Sequence, residues 1–218
     1  MSTQTKRASL VRLGLWIESF TVVWMVLEGA LSIGAGLVAH SALLVAFGLD
    51  SVIELLSGAI VLWRFLVEAR DGDAEQVEHA EHRAAWIVFV SLALLCLYVL
   101  GTALSGLVIG SQPESSPVGM AIAAAAVLIM PALAGGKRRL ASRLDSGALR
   151  GDAASSLTCG YMAATVLVGI AANALLHWWW AEDVAALGFL IWLVLETRET
   201  LEEARGTESE KKKDKENR

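Results

Sequence analysis

The chain has 218 residues, 55% of them hydrophobic and 19% charged, with a formal net charge of −5 and a mean hydropathy of +0.54. Those values exclude an ordinary soluble domain, which has shorter apolar runs and a larger charged share. The apolar residues fall in blocks of about 20, long enough to cross a bilayer core, and no short alternating segments of the membrane-barrel kind occur.

Residues 1–12 form a basic cytoplasmic lead-in. The first span, 13–38, is retained rather than cleaved, because its apolar part outruns a signal peptide and lacks a small-residue cleavage site. The second span covers 41–66 and contains FGLDSVIELLSGAIVLW. A charged segment, EARDGDAEQVEHAEHRA, precedes the third span, 84–109. There His79 and His82, with Glu75, Glu78 and Glu81, either recruit metal from one helix face or form a solvated extension of the third helix. The stretch SQPESSPVG breaks the chain before a short fourth span, 120–133, which Gly135-Gly136 ends just after Pro131. A basic segment, GGKRRLASRLDSGALRGD, leads to the fifth span, 149–176, and the sixth follows at 183–195. The expected fold class is all-α: a polytopic membrane protein of six transmembrane helices, with no soluble C-terminal domain expected. The domain unit is 13–199, and 200–218 is a charged tail expected to be disordered.

Lys and Arg set the orientation. Lys6, Arg7 and Arg12 precede the first span, Arg64, Arg70 and Arg83 flank the loop between the second and third, and Lys137, Arg138, Arg139, Arg143 and Arg150 lie between the fourth and fifth. The alternate loops carry none, so both termini are expected in the cytoplasm. Trp178, Trp179 and Trp180 fit an outer-interface aromatic belt, and His40 and His177 read as surface residues near it. Cys96 and Cys159 both fall inside spans, which argues against a disulfide framework; Cys96 has no polar companion and reads as core.

The polar residues within the spans carry the chemistry. Asp50 and Glu54 are spaced i, i+4 and share a helix face. Asp152, Ser155, Ser156 and Cys159 run down one stripe of the fifth span. Glu18 and Glu28 stand in the first. Two acids on one turn repel each other, so a proton or a cation must relieve them. Facing Asp50 and Glu54 with Asp152 and Cys159 makes a donor set of three oxygens and a sulfur, close to the preference of zinc. Ser155 and Ser156 suit support of a ligand or a water, and Glu28 suits either a proton relay or a helix-packing hydrogen bond. The alternative is that the acids are protonated and join helices by hydrogen bonds.

HSALLVAFGLDSVIELLSG resembles the second span of the cation diffusion facilitator (cation efflux) family, where two acids have DxxxD-type spacing. GALRGDAASSLTCGYMA is similar to the family's fifth span, L-x-A-D-A-x-H-S-x-x-D, with Asp152 at the first Asp, Ser155 at the His and Cys159 at the second Asp. WAEDVAALGFLI resembles the sixth-span D-P-x-x-A opening through Asp183. The resemblance covers the six-span region and implies efflux of divalent transition metals, zinc foremost with Cd, Co, Mn or Fe as relatives, in exchange for protons, by a homodimer working through alternating access in the cell membrane. The fifth-span His/Asp pair is replaced, and the family's cytoplasmic ferredoxin-like domain is expected to be absent, as in a minimal membrane-domain member.

The expected function is a zinc-like divalent-cation/proton antiporter. Asp50, Glu54, Asp152 and Cys159 would hold the ion and the same acids the counter-protons. A metal-binding membrane scaffold that does not transport is the alternative. No enzyme is expected, because neither an activated nucleophile nor an HExxH motif is present, and no nucleic-acid partner is expected.

Overall fold

The computed structural model describes residues 3–68, 74–110, 113–144 and 147–216. All regular structure among them is α-helix: α1 (Thr3–Ala39), α2 (Ala42–Glu68), α3 (Ala74–Ile109), α4 (Pro117–Leu144), α5 (Gly147–Leu176) and α6 (Ala181–Glu216). The side chains of Glu75, Glu78, His79, Glu81 and His82 lie outside the described residues.

The helix ends at one face of the bundle follow local chemistry. α1, α3 and α5 each stop on a left-handed residue: His40 (φ 54°), Gly110 (φ 74°) and His177 (φ 55°). Ser41 N donates to Gly36 O at 2.9 Å, Gly110 N to Gly106 O at 2.8 Å and His177 N to Asn173 O at 3.0 Å, the bonds that satisfy the last carbonyls of a helix. α2 and α4 start under serine caps. Leu44 N donates to Ser41 Oγ at 3.2 Å and Gly119 N to Ser116 Oγ at 3.0 Å, with Pro117 at the first helical position, where its missing N–H costs nothing. α6 begins with Glu182 and Asp183 in its first turn, where acids favour the helix dipole. The loop before α4 ties two of these helix ends together: Glu114 N donates to Ala39 O at 2.8 Å and Asn173 Nδ2 to Pro113 O at 2.9 Å.

Five helices, α1 to α5, are long and apolar enough to cross a membrane. The apolar part of α6, residues 184–195, is shorter, but α6 packs on α3 and α5 within the same bundle. The packing runs as a ring in the order α1, α2, α3, α6, α5, α4, with α2 and α5 meeting across it. Each of the first three helices thus meets its counterpart three places on, and the central helices of the two halves face one another. Beyond residue 199 the helix continues to Glu216 through a tail rich in Glu, Lys and Arg, all good helix formers.

α1 shows why a bilayer is the solvent. Its buried stripe is Glu18, Thr21, Met25, Glu28 and Ser32, whereas Trp16, Phe20, Val23, Leu27 and Leu31 face outward. That is the reverse of a soluble amphipathic helix and the normal arrangement where hydrocarbon surrounds the bundle. Glycines bring α1 and α2 together: a Cβ added at Gly36 would lie 2.7 Å from Val45 N, and one at Gly48 would lie 2.8 Å from Ile33 N.

The fourth span is longer than its sequence suggests. Pro131 and Gly135-Gly136 lie inside α4, which continues to Leu144. Neighbouring helices make such a proline tolerable in a membrane helix; Gly160 of α5 is the position that packs on the Pro131 ring. Lys137 therefore lies on a packed helix, fully buried, and not in a basic loop.

Candidate functional site

Asp50, Glu54 and Cys159 converge. One ligand atom from each lies within 4.8 Å of the others, and all three residues are buried. The i, i+4 spacing on α2 puts both carboxylates on the face turned toward α5, and α5 is the helix that meets α2 across the ring. The group thus stands between the two halves of the bundle, where transporters with paired halves place their substrate sites.

Asp50 is 0% exposed, and neither of its carboxylate oxygens has a hydrogen-bond partner among the described residues. Glu54 Oε1 accepts from Ser155 Oγ at 2.9 Å, while its Oε2 has no partner. Helix-joining by protonated acids therefore has no geometric counterpart at Asp50. A buried carboxylate without a donor is costly, and a divalent cation would supply what these oxygens lack. Two oxygens and a sulfur form a mixed donor set suited to a borderline-soft ion.

Glu28 stands beside this group. Its Oε1 accepts from Ser51 Oγ at 2.8 Å and from Cys159 Sγ at 3.6 Å, and its Oε2 accepts from Trp24 Nε1 at 2.5 Å. Ser155 belongs to the site through Glu54. Ser156 does not: its hydroxyl donates to Asp152 O of its own helix at 3.0 Å.

Asp152, expected as the fourth donor, is placed elsewhere. Its carboxylate pairs with Lys137 Nζ, and Lys137 Nζ also lies 3.2 Å from Glu18 Oε2. The stripe from Asp152 to Cys159 does share a face, but seven residues climb ~10 Å along a helix, too far for both to reach one ion beside a pair spanning a single turn. Sequence reasoning also missed Glu196. It follows Leu195, where the sixth span read from the sequence ends, and lies among the charges that lead into the tail. Yet Ser155 Oγ also lies 2.9 Å from Glu196 Oε1, and Glu196 Oε2 is buried without a partner. The signal was present only as an acid abutting an apolar run.

Cys96 packs at the edge of the core, its Sγ 3.6 Å from Thr197 Oγ1. His40 and His177 are exposed, as expected. Asp183, the sixth-span acid, is buried in the first turn of α6, away from Glu196 and beside Glu182, which joins Ser41 and Asn173.

Residues 19–206 match the cation efflux transmembrane domain. Over 154 residues the chain is 28% identical to transmembrane protein 163 of Xenopus laevis, covering 71% of this chain and 53% of that protein. Over 161 residues it is 26% identical to an uncharacterized transporter of Synechocystis sp., covering 72% of this chain and 52% of that one. The chain spans about half the length of the curated relatives it matches.

Proposed function

The chain belongs to the cation efflux family, a family of transporters and not of enzymes, and on that footing we propose that it exports a divalent transition-metal ion, zinc or a close relative, in exchange for protons. The observation that carries the reading is Asp50: a fully buried carboxylate with two unpartnered oxygens, grouped with Glu54 and Cys159. A cation is the partner that such a group lacks.

The exchange follows from one set of ligands serving two cargoes. Carboxylates and thiols bind a metal only when deprotonated, so ion and protons exclude one another at Asp50, Glu54 and Cys159. Entry of the ion displaces the thiol proton of Cys159, and Glu28 Oε1 is the acceptor already facing that sulfur. Release of the ion at the opposite face lets protons return to the same atoms. The position of the group between α2 and α5 suits a site that opens to each side in turn.

Orientation is proposed from charge. The three loops at one end of the bundle, 40–41, 110–116 and 177–180, contain no Lys or Arg, whereas Arg138, Arg139, Arg143 and Arg150 occupy the opposite end. By the positive-inside rule that opposite end, with both termini, faces the cytoplasm. The family resemblance adds a homodimer in the cell membrane.

The test is zinc flux in proteoliposomes under an imposed pH gradient, paired with calorimetric titration of zinc. The parent is expected to bind zinc and move it only with the gradient, and Asp50→Ala to do neither. Zinc binding by the parent without proton-dependent flux would identify a metal-binding scaffold instead, and undiminished flux through Asp50→Ala would remove the site assignment.

A further inference from the structure

Glu196 lies on α6, a third helix beside the two that supply Asp50, Glu54 and Cys159. Ser155 Oγ stands 2.9 Å from Glu54 Oε1 and 2.9 Å from Glu196 Oε1. A serine hydroxyl has a single proton to donate, so it cannot satisfy two ionised carboxylates at once. The remaining oxygens of Glu54 and Glu196, like both oxygens of Asp50, are buried without a hydrogen-bond partner. Glu54 and Glu196, from two helices, are therefore held against one hydroxyl, beside Asp50 of the Glu54 group, and each is short of a donor.

We propose that Glu196 is the fourth protein donor to the transported cation, so that the site is built by α2, α5 and α6 and Ser155 holds the Glu54 and Glu196 carboxylates in register. This rests on the transport reading in taking Asp50, Glu54 and Cys159 as the other three donors. Glu196 fills the place that Asp152 leaves vacant by pairing with Lys137. A set of three carboxylate oxygens and one sulfur gives four donors, the coordination number zinc favours, and the oxygen majority shifts preference away from softer ions. It also ties α6 to the ion, so the position of that helix depends on whether the site is loaded.

The experiment uses the full chain purified in detergent, with Zn2+ and Cd2+ titrated separately by calorimetry. Glu196→Gln is expected to weaken Zn2+ binding by about 10–100-fold, the range that follows loss of a ligand-supporting partner or more. Cd2+ should suffer less, because losing a hard oxygen matters less to a softer ion, and the metal-free melting temperature should not change. Glu196→Asp should recover part of the affinity. If Glu196→Gln binds both ions like the parent while Asp50→Asn and Glu54→Gln lose them, the fourth donor is wrong and the transport site stands. If Asp50→Asn and Glu54→Gln also bind like the parent, the whole site is wrong. A measurement on the parent guards against a variant that does not fold: labelling with a hydrophobic carbodiimide, mapped by peptide mass. Zn2+ should protect Glu196 together with Asp50 and Glu54, and protection of those two without Glu196 overturns the proposal.

Discussion

Glu18, Lys137 and Asp152 form one buried charged group on α1, α4 and α5; Asp50, Glu54 and Cys159 form another on α2 and α5. The first contains its own base, held between two acids. The second contains none, and Asp50 is left with two oxygens that nothing in the described chain satisfies. Both stand among helices that cross a membrane, where charge is costly, and α5 contributes to both. The difference separates two uses of buried charge. One group brings its own counter-ion; the other leaves unpartnered the oxygens that the proposed cation would fill.

That contrast breaks most readily at Lys137. Lys137→Met removes the base and leaves two acids facing each other in the bundle, which is expected to cost about 3–5 kcal/mol, the usual loss when one partner of a buried pair is deleted. Thermal unfolding in detergent without metal measures it. Combining that change with Glu18→Gln and Asp152→Asn should restore most of the stability, because a neutral replacement of a whole buried ion group is close to neutral; failure to recover would show that the triad does more than balance charge. Asp50→Asn should behave in the opposite sense. It removes an unpaired buried charge, so the metal-free protein should melt no lower than the parent, while the stabilisation by saturating Zn2+, about 2.7 kcal/mol at a hundredfold excess over Kd, should vanish.

Acidity sharpens the same comparison. Metal binding releases protons from the ligands, so Zn2+ affinity should rise with pH and fall as the medium is acidified, read by titration across a pH series. An affinity independent of pH would separate ion from proton and sink the exchange. Cys159→Ser keeps the size of the side chain but replaces a soft donor by a hard, weak one, and Cd2+ should lose more affinity than Zn2+. Ser156→Ala is the smallest change: its hydroxyl serves its own helix, and stability and binding should stay within about 0.5 kcal/mol of the parent.

Some of this was visible in the residues alone. Asp50 and Glu54 stand out because two acids one turn apart in an apolar run have no soluble-protein explanation, and their spacing alone puts them on one face. Cys159 follows from sharing a stripe of the fifth span, and the helical membrane fold follows from block lengths. Asp152 misled because a shared stripe fixes direction around a helix axis and says nothing of height along it. Lys137 was hidden by Pro131 and Gly135-Gly136, which mark a helix end in water but not where neighbouring helices cover the break. Glu196 was hidden by the charges that follow it, since only packing distinguishes the last acid of a core helix from the first of a tail. Pairings between helices, such as Ser155 with Glu54 across the ring and with Glu196 on the neighbouring helix, involve residues far apart in the chain, and no local period encodes them.

The burial of Lys137 has a consequence for how the molecule is assembled. Glu18 is made more than a hundred residues before Lys137, so during synthesis the first three helices carry an acid whose base does not yet exist. Only when α4 arrives can the pair close, and Asp152 joins after that. The two three-helix halves are therefore not independent modules laid side by side. With a chain split in the loop between α3 and α4 and expressed as two pieces, the first should accumulate only when the second is present, because Glu18 has no base of its own whereas Lys137 keeps Asp152.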